Sequence, residues 1–171
     1  FNSTLDNAFN NGAFNKSALD NIKQVEAGPI FKKGIESALS IMNDSKNTLL
    51  LARNYHYILQ RYVYHPEFNY RIYCVDKSYF VIKKVGKKIL LMDYFGELES
   101  YPQRLALFVY FLANKLPECS LNLWCLDDVS GIFLAPNNII DTGAVFVCKK
   151  YSSNLPDFKR WWISMGDTEF M

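Results

Sequence analysis

The sequence predicts a mixed α/β (α+β) domain in which a twisted β-sheet is flanked by helices. Three observations predict it: helical periodicity comes early in the chain, runs of β-forming residues follow, and one long apolar helix separates those runs from later ones. The chain has 171 residues, of which 50% are hydrophobic and 16% aromatic. That is enough to bury one substantial core.

The first 20 residues differ from the rest of the chain. Asparagines crowd this segment, and asparagine favours turns over regular structure. We expect residues 1–20 to be a linker or the remnant of a preceding domain, with a frayed terminus as the alternative. Residues 21–171 are expected to form the domain itself.

Two helices are expected before the sheet. Apolar residues at helical spacing indicate one helix from Ile30 to Met42 and a second from about Asn54 to Tyr64. Pro66 ends the second helix, because the residue before a proline avoids the α region.

A β-hairpin is expected next. Residues 70–75 and 79–83 are rich in β-formers, with a turn at Asp76-Lys77-Ser78 between them and another at Val85-Gly86. These two strands are expected near an edge of the sheet.

A central strand and a buried helix follow the hairpin. Lys88–Phe95 is apolar on both alternating faces apart from Asp93, which is typical of a strand buried on both sides. Ser100 and Gln103 have the spacing of a capping box, and the apolar helix after them runs to about Leu116. Further strands are expected at residues 121–126, 144–149 and 161–165.

Charge and cysteine content argue against several classes of function. The net charge is +2, which gives no electrostatic reason to expect nucleic acid or an anionic membrane as partner. No apolar run approaches the roughly 18 residues of a membrane span, and the chain opens without a secretory signal, so a cytoplasmic location is expected. Only two histidines are present, so no metal site is expected, and the four cysteines favour buried free thiols.

Three side chains are candidates for acid–base chemistry. Asp93 interrupts an apolar strand, and a buried carboxylate there is either a functional group or a structural partner for Arg61 or Arg71. His65 is a candidate general base, or it caps the end of the preceding helix. Tyr101 is a candidate general acid.

Two local sequence motifs contain polar residues that the packing of a core does not explain. Arg61-Tyr62 followed by His65-Pro66 precedes the first long strand, and Trp162-Ile163-Ser164 followed by Gly166-Asp167 lies near the end of the chain. With the hairpin, the LLMDYFG strand and the buried helix between them, the chain resembles a group of bacterial GNAT-like proteins over about residues 45–171. Many of that group contain two GNAT-type halves, and this chain would correspond to the second.

The resemblance implies transfer of an acyl group from acetyl-CoA or another acyl-CoA to an amine. The cofactor would lie in a splay between two neighbouring strands, with its pyrophosphate on backbone amides at the start of the next helix. The residues that this places at the cofactor are Phe95, Gly96, Gln103 and Arg104.

The loop at this place departs from the glycine-rich pattern. Pro102 lacks an amide donor, and Glu97 and Glu99 put negative charge where a pyrophosphate would sit. A second hypothesis is therefore a non-catalytic GNAT-like module that packs against a partner, either an N-terminal domain or another copy of the chain. A third, a carbohydrate or peptide binder, depends on the tryptophans Trp124, Trp161 and Trp162.

Overall fold

The computed structural model describes residues 16–44, 49–50, 53–123 and 161–162. The helices are α1 (Lys16–Asp20), α2 (Pro29–Asn43), α3 (Tyr55–Ile58) and α4 (Tyr101–Lys115), and a π-helical turn (Leu59–Val63) continues α3. The strands are β1 (Lys23–Val25), β2 (Leu49–Leu50), β3 (Tyr70–Val75), β4 (Ser78–Val85), β5 (Lys88–Phe95), β6 (Ser120–Asn122) and β7 (Trp161–Trp162).

Five of the strands form one mixed sheet in the order β1-β3-β4-β5-β6. The β1–β3, β3–β4 and β4–β5 pairs are antiparallel, whereas β5 and β6 are parallel and are joined through α4. β2 and β7 form a separate parallel pair. The mixed α/β (α+β) class predicted from the sequence is confirmed.

Helices cover both faces of the sheet. Tyr79 and Phe80 are consecutive in β4, so their side chains lie on opposite faces. On one face Phe31 of α2 packs edge-on to Tyr79 with ring centroids 6.0 Å apart. On the other face Phe108 of α4 stacks on Phe80 with centroids 4.6 Å apart. The core therefore consists of two aromatic-rich layers divided by the sheet.

Both predicted hairpin turns are confirmed. Asp76 and Lys77 have φ values of 45° and 63°, and this pair of left-handed residues makes the two-residue turn that matches the twist of β3 and β4. In the second turn Gly86 has a φ of 59°, a conformation that glycine adopts without a steric cost.

The prediction that the hairpin strands lie near an edge holds for β3, which is next to the outermost strand, but not for β4. β1 pairs with β3 over residues Lys23–Val25 and covers its outer side, so β4 is the middle strand of the five. A three-residue strand is too short to produce a recognisable alternation of polar and apolar positions. β4 is buried from Ser78 to Lys83, and the Lys83 ammonium lies 3.2 Å from the centroid of the Phe68 ring.

β5 is buried on both faces, as predicted, and it contains a bulge. Val81 pairs with Asp93 but the next residue of β4, Ile82, pairs with Leu91, which leaves Met92 as an extra residue in β5. The bulge places the Asp93 side chain on the face covered by the π-helical turn, because Tyr62 of that turn reaches its carboxylate.

α4 begins near its predicted start, but not through the predicted capping box. Ser100 makes no capping hydrogen bond to a helix amide, and its hydroxyl instead donates to the carboxylate of Glu97. Pro102 lies in the first turn, where a proline is tolerated. The second predicted helix also differs, because only Tyr55–Ile58 is α-helical before the π-helical turn begins.

Several predictions concern residues only partly described. Residues 124–126, 144–149, 163–165, Cys125 and Cys148 lie outside the described residues. Cys74 and Cys119 are free thiols that are partly buried. Within the described ranges no helix is both long enough and apolar enough to cross a membrane.

Gly34 of α2 and Tyr79 of β4 offer a test of the packing on this face. A Cβ at position 34 would overlap the Tyr79 hydroxyl. We expect Gly34→Ala to lower the free energy of unfolding by about 1–3 kcal/mol through overpacking, although alanine in a helix is ordinarily about 1 kcal/mol better than glycine. Adding Tyr79→Phe should restore part of that loss in urea denaturation. A double variant less stable than Gly34→Ala alone would contradict this packing.

Candidate functional site

The residues predicted to bind a cofactor lie around the start of α4. Arg104 is the centre of this region, which we call the α4 cluster; its members are Asp76, Ser78, Tyr94, Gly96, Glu97 and Arg104. One guanidinium nitrogen, Nη1, donates to the Ser78 hydroxyl at 2.7 Å, and Nη2 lies 3.5 Å from an Asp76 oxygen and 3.7 Å from a Glu97 oxygen. Arg104 thus joins the β3–β4 turn to the loop that enters α4.

Two of the first three backbone positions of α4 are unavailable to an anion. The Tyr101 amide donates to the Leu98 carbonyl at 3.1 Å, and Pro102 has no amide proton. The Glu97 carboxylate accepts the Ser100 hydroxyl at the same helix end. A carboxylate there interacts favourably with the helix dipole, so the protein itself supplies the anion.

A glycine is required at position 96 because the backbone there lies very close to two side chains of the α4 cluster. The φ of Gly96 is 152°, and a Cβ at this position would overlap the Ser78 side chain and lie 2.9 Å from the Tyr94 hydroxyl. That hydroxyl donates to the Glu97 carbonyl at 2.7 Å. Burial raises the pKa of Tyr94, partly offset by its contacts with Ser78 and Arg104. The phenol is therefore held in its protonated form.

The other residues predicted at this end have different surroundings. Phe95 is fully buried, with the Arg53 guanidinium 6.0 Å from its ring centroid. The Tyr101 ring is buried 4.8 Å from that of Tyr94, and Gln103 is exposed. Of the four predicted cofactor residues, only Gly96 and Arg104 belong to the α4 cluster.

Asp93 is buried in an ion pair with Arg53, a partner that the sequence did not predict. Its Oδ2 lies 3.4 Å from Nε of Arg53, and the two side chains are 0% and 2% exposed. Tyr62 donates its hydroxyl to the same oxygen at 2.8 Å, and the Tyr94 amide donates to Oδ1 at 2.9 Å. We call Arg53, Tyr62 and Asp93 the buried triad.

The environment of Tyr62 keeps its phenol protonated. Burial raises the pKa of Tyr62 well above its ordinary value, and the negative charge of Asp93 raises it further. Tyr62 therefore donates to the carboxylate rather than competing with it as a second anion. The side chain is positioned by the π-helical turn, a distortion that often occurs where a helix must direct a particular residue.

His65 lies in a second place, an open cleft of about 550 Å³ at the β1 edge of the sheet. We call it the edge cleft; its polar lining residues include Gln24, Glu26, His65, Glu67, Asn69 and Arg71. The cleft lies where β1 leaves β3, since Val25 and Ile72 are the last residues that pair. Tyr62 also lines it, so the buried triad extends to the cleft wall.

The hydrogen bonds of His65 define which of its nitrogens carries the proton. Its Nδ1 accepts the amides of Glu67 and Phe68, each at 3.2 Å, and its ring stacks on Phe68 with centroids 4.9 Å apart. An accepting nitrogen must keep its lone pair, so the proton of the neutral ring lies on Nε2. His65 then presents a donor to the cleft. This geometry is unsuited to a general base acting through Nε2.

The structure does not bring the three acid–base candidates together. Tyr79 pairs with Phe95 at the α4 end of the sheet, whereas Lys83 pairs with Tyr70 beside the cleft. The two pairs are four positions apart along β4, which is roughly 13 Å along the strand. His65 and Tyr101 thus belong to opposite ends of the sheet, with Asp93 buried between them.

Two residues important for this arrangement were missed from the sequence. Tyr62 stands inside the Arg61-Tyr62 motif, where its polar tip in an apolar run was a usable signal. Arg53 precedes the N-cap Asn54, and nothing in the local pattern indicates that its side chain turns inward. Within the described residues no group of three histidine, cysteine, aspartate or glutamate side chains is placed to hold a metal ion.

Comparison with family models, with curated proteins and with solved structures gave no match to this chain.

The buried triad can be tested by substitutions in pairs. Asp93→Leu alone leaves the Arg53 guanidinium buried without this carboxylate, and we expect it to lower the free energy of unfolding by about 3–5 kcal/mol. Arg53→Leu/Asp93→Leu removes both charges and should be more stable than the single variant in urea denaturation. Tyr62→Phe, which keeps the ion pair, is the milder control. Strictly additive losses from Arg53→Leu and Asp93→Leu would contradict the coupling.

The role of His65 predicts an order of stability among variants. His65→Ala leaves two amides without their acceptor and should cost about 1 kcal/mol, whereas His65→Asn supplies an oxygen near the position of Nδ1 and should cost less. Nitrogen-15 NMR of the imidazole should show the proton on Nε2. A proton on Nδ1, or an Asn variant no more stable than the Ala variant, would refute this assignment.

Proposed function

We propose that the chain is a GNAT-like domain that transfers an acyl group from acetyl-CoA or another acyl-CoA to an amine. The observation that carries the proposal is the β5–α4–β6 unit. Within the part of the chain that the structure describes, the pairing between β5 and β6 runs from Lys88 and Ser120 to Leu90 and Asn122, while β5 runs on to Phe95. The resemblance places the cofactor in a splay between two neighbouring strands, with the pyrophosphate at the start of the next helix.

Two features of the α4 cluster support this location. Arg104 presents a guanidinium at the start of α4, with its side chain 18% exposed, and a guanidinium matches phosphate geometry well. Gly96 allows the β5 backbone to approach its neighbours closely where a side chain would collide. The β5 bulge at Met92 bends the strand just before this point.

Within this proposal the catalytic candidates have unequal roles. Tyr94 and Tyr101 are the phenols nearest the α4 start, and Tyr94 is the one bonded to Arg104, at 3.4 Å. Asp93 acts as a positioning residue, since its oxygens are occupied by Arg53, Tyr62 and the Tyr94 amide. His65 lies at the other end of the sheet and has no part in the transfer.

A non-catalytic module that packs against a partner domain is the second candidate. The observation that favours it is the Glu97 carboxylate, which occupies the α4 start with Ser100 and Arg104. A phosphate group would have to approach this negative charge or displace it. In this case the partner would be an N-terminal domain or a second copy of the chain.

Calorimetric titration with acetyl-CoA separates the two candidates. If the α4 start binds pyrophosphate, Glu97→Gln should bind acetyl-CoA about three- to tenfold more tightly than the wild type, because one repulsive charge is removed. Arg104→Gln should bind more weakly, and Glu36→Gln, on the distant α2 helix, should leave the affinity unchanged. Absence of binding by both the wild type and Glu97→Gln at millimolar ligand would reject acyl transfer by this chain and leave the module.

A further inference from the structure

The edge cleft has the size and the polar groups of a ligand site. Its volume of about 550 Å³ falls within the range of small-molecule pockets. Aromatic and aliphatic side chains form part of its wall, including Tyr62, Phe68 and Val63. It lies at the opposite end of the sheet from the α4 cluster, so a ligand here would be separate from any acyl-CoA.

Charges of both signs line this cleft without pairing. Arg71 contributes a cation, and Glu26 and Glu67 contribute carboxylates. All three side chains are exposed, and among the described residues none forms an ion pair or a side-chain hydrogen bond. Val25 and Ile72 are the last residues that pair between β1 and β3. Glu26 comes directly after Val25 and Arg71 directly before Ile72, so they lie on opposite strands where β1 and β3 separate. Opposite charges are thus available in one cleft without neutralising each other.

His65 adds a directed donor to the same cleft. Since its Nδ1 accepts two amides, its Nε2–H is the group left to meet a ligand. A donor of this kind suits a carbonyl oxygen. The Arg71 guanidinium, on the opposite face of β3 from the Tyr70 ring that contacts His65, favours an anionic group. The two carboxylates favour an ammonium group instead.

We propose that the edge cleft binds a small zwitterionic ligand of the amino-acid or short-peptide class. The ligand's carboxylate lies toward Arg71, a carbonyl oxygen lies toward the Nε2–H of His65, and the ammonium lies toward Glu26 and Glu67. A ligand with one charge only would satisfy half of these groups. A hydrogen bond to a charged group is worth about tenfold or more in affinity for each end.

The test uses the dipeptide alanyl-alanine and its capped forms as probes. We expect the free dipeptide to bind in calorimetric titration, and acetylation of its amine or amidation of its carboxylate to weaken binding about tenfold each. Proton–nitrogen NMR should show shifts confined to residues 24–27 and 62–72. Glucose serves as a neutral polar probe and should not bind.

Variants assign each end of the ligand to its partner. Arg71→Gln should bind the free acid and the amide with equal affinity. It should still bind the free amine more tightly than the acetylated form. Glu26→Gln/Glu67→Gln should do the reverse. Asp20→Asn and Lys88→Gln change exposed charges outside the cleft and should alter neither.

Three results would overturn the proposal. These are no binding of the free dipeptide at millimolar concentration, equal binding of the doubly capped dipeptide or glucose, or shifts that map away from the cleft. Because the edge cleft shares no residue with the α4 cluster, these outcomes are independent of the acetyl-CoA titration.

Discussion

The ion pair between Arg53 and Asp93 is the constraint around which the described structure is arranged. Two charged side chains that are 2% and 0% exposed pay a large desolvation cost, which only good mutual geometry and further hydrogen bonds offset. Tyr62 and the Tyr94 amide provide such bonds. The ion pair consequently fixes the positions of three segments relative to one another: the segment before α3, the π-helical turn and the middle of β5.

The bulge at Met92 makes this ion pair possible. Without the extra residue, strict alternation along β5 from Leu91 would direct the Asp93 side chain to the α4 face, because positions two apart share a face. With it, Asp93 meets Tyr62 on one face and Tyr94 joins Phe80 and Tyr101 on the other. The bulge in β5 therefore places Asp93 in the buried triad and Tyr94 in the α4 cluster.

The sequence was sufficient to predict the elements whose signal is local. β3, β5 and α4 were predicted because β-formers, an uninterrupted apolar run and an all-round apolar helix each determine their own structure. β1 was missed because three residues carry too little periodicity. The Arg53 contact spans 40 positions of sequence, and a single residue's type does not indicate a distant partner.

The same distinction applies to the candidate sites. Asp93 was correctly marked as a buried carboxylate needing a partner, since the chemistry of burial is local even though the partner is not. The orientation of His65 depends on two amides only two and three residues away. That contact requires the chain to fold back at Pro66, and residue type alone did not reveal it. Gly96 and Arg104 were predicted together only through the resemblance.

The α4 cluster and the edge cleft lie at opposite ends of the sheet. This separation limits the chemistry that the described polar residues can perform together. At the α4 end Arg104 already lies between the carboxylates of Glu97 and Asp76, so an anionic ligand there must replace an internal contact. At the cleft end Glu26, Glu67 and Arg71 form no ion pairs among the described residues, so the proposed ligand would replace only water. The buried triad touches both ends, through the Tyr94 amide and through Tyr62. Because the Arg53–Asp93 ion pair is buried and hydrogen-bonded by the neutral Tyr62 phenol, the triad is a structural connection rather than a reactive one. The ligand proposed for the edge cleft therefore has fewer internal contacts to displace than an acyl-CoA at the α4 start.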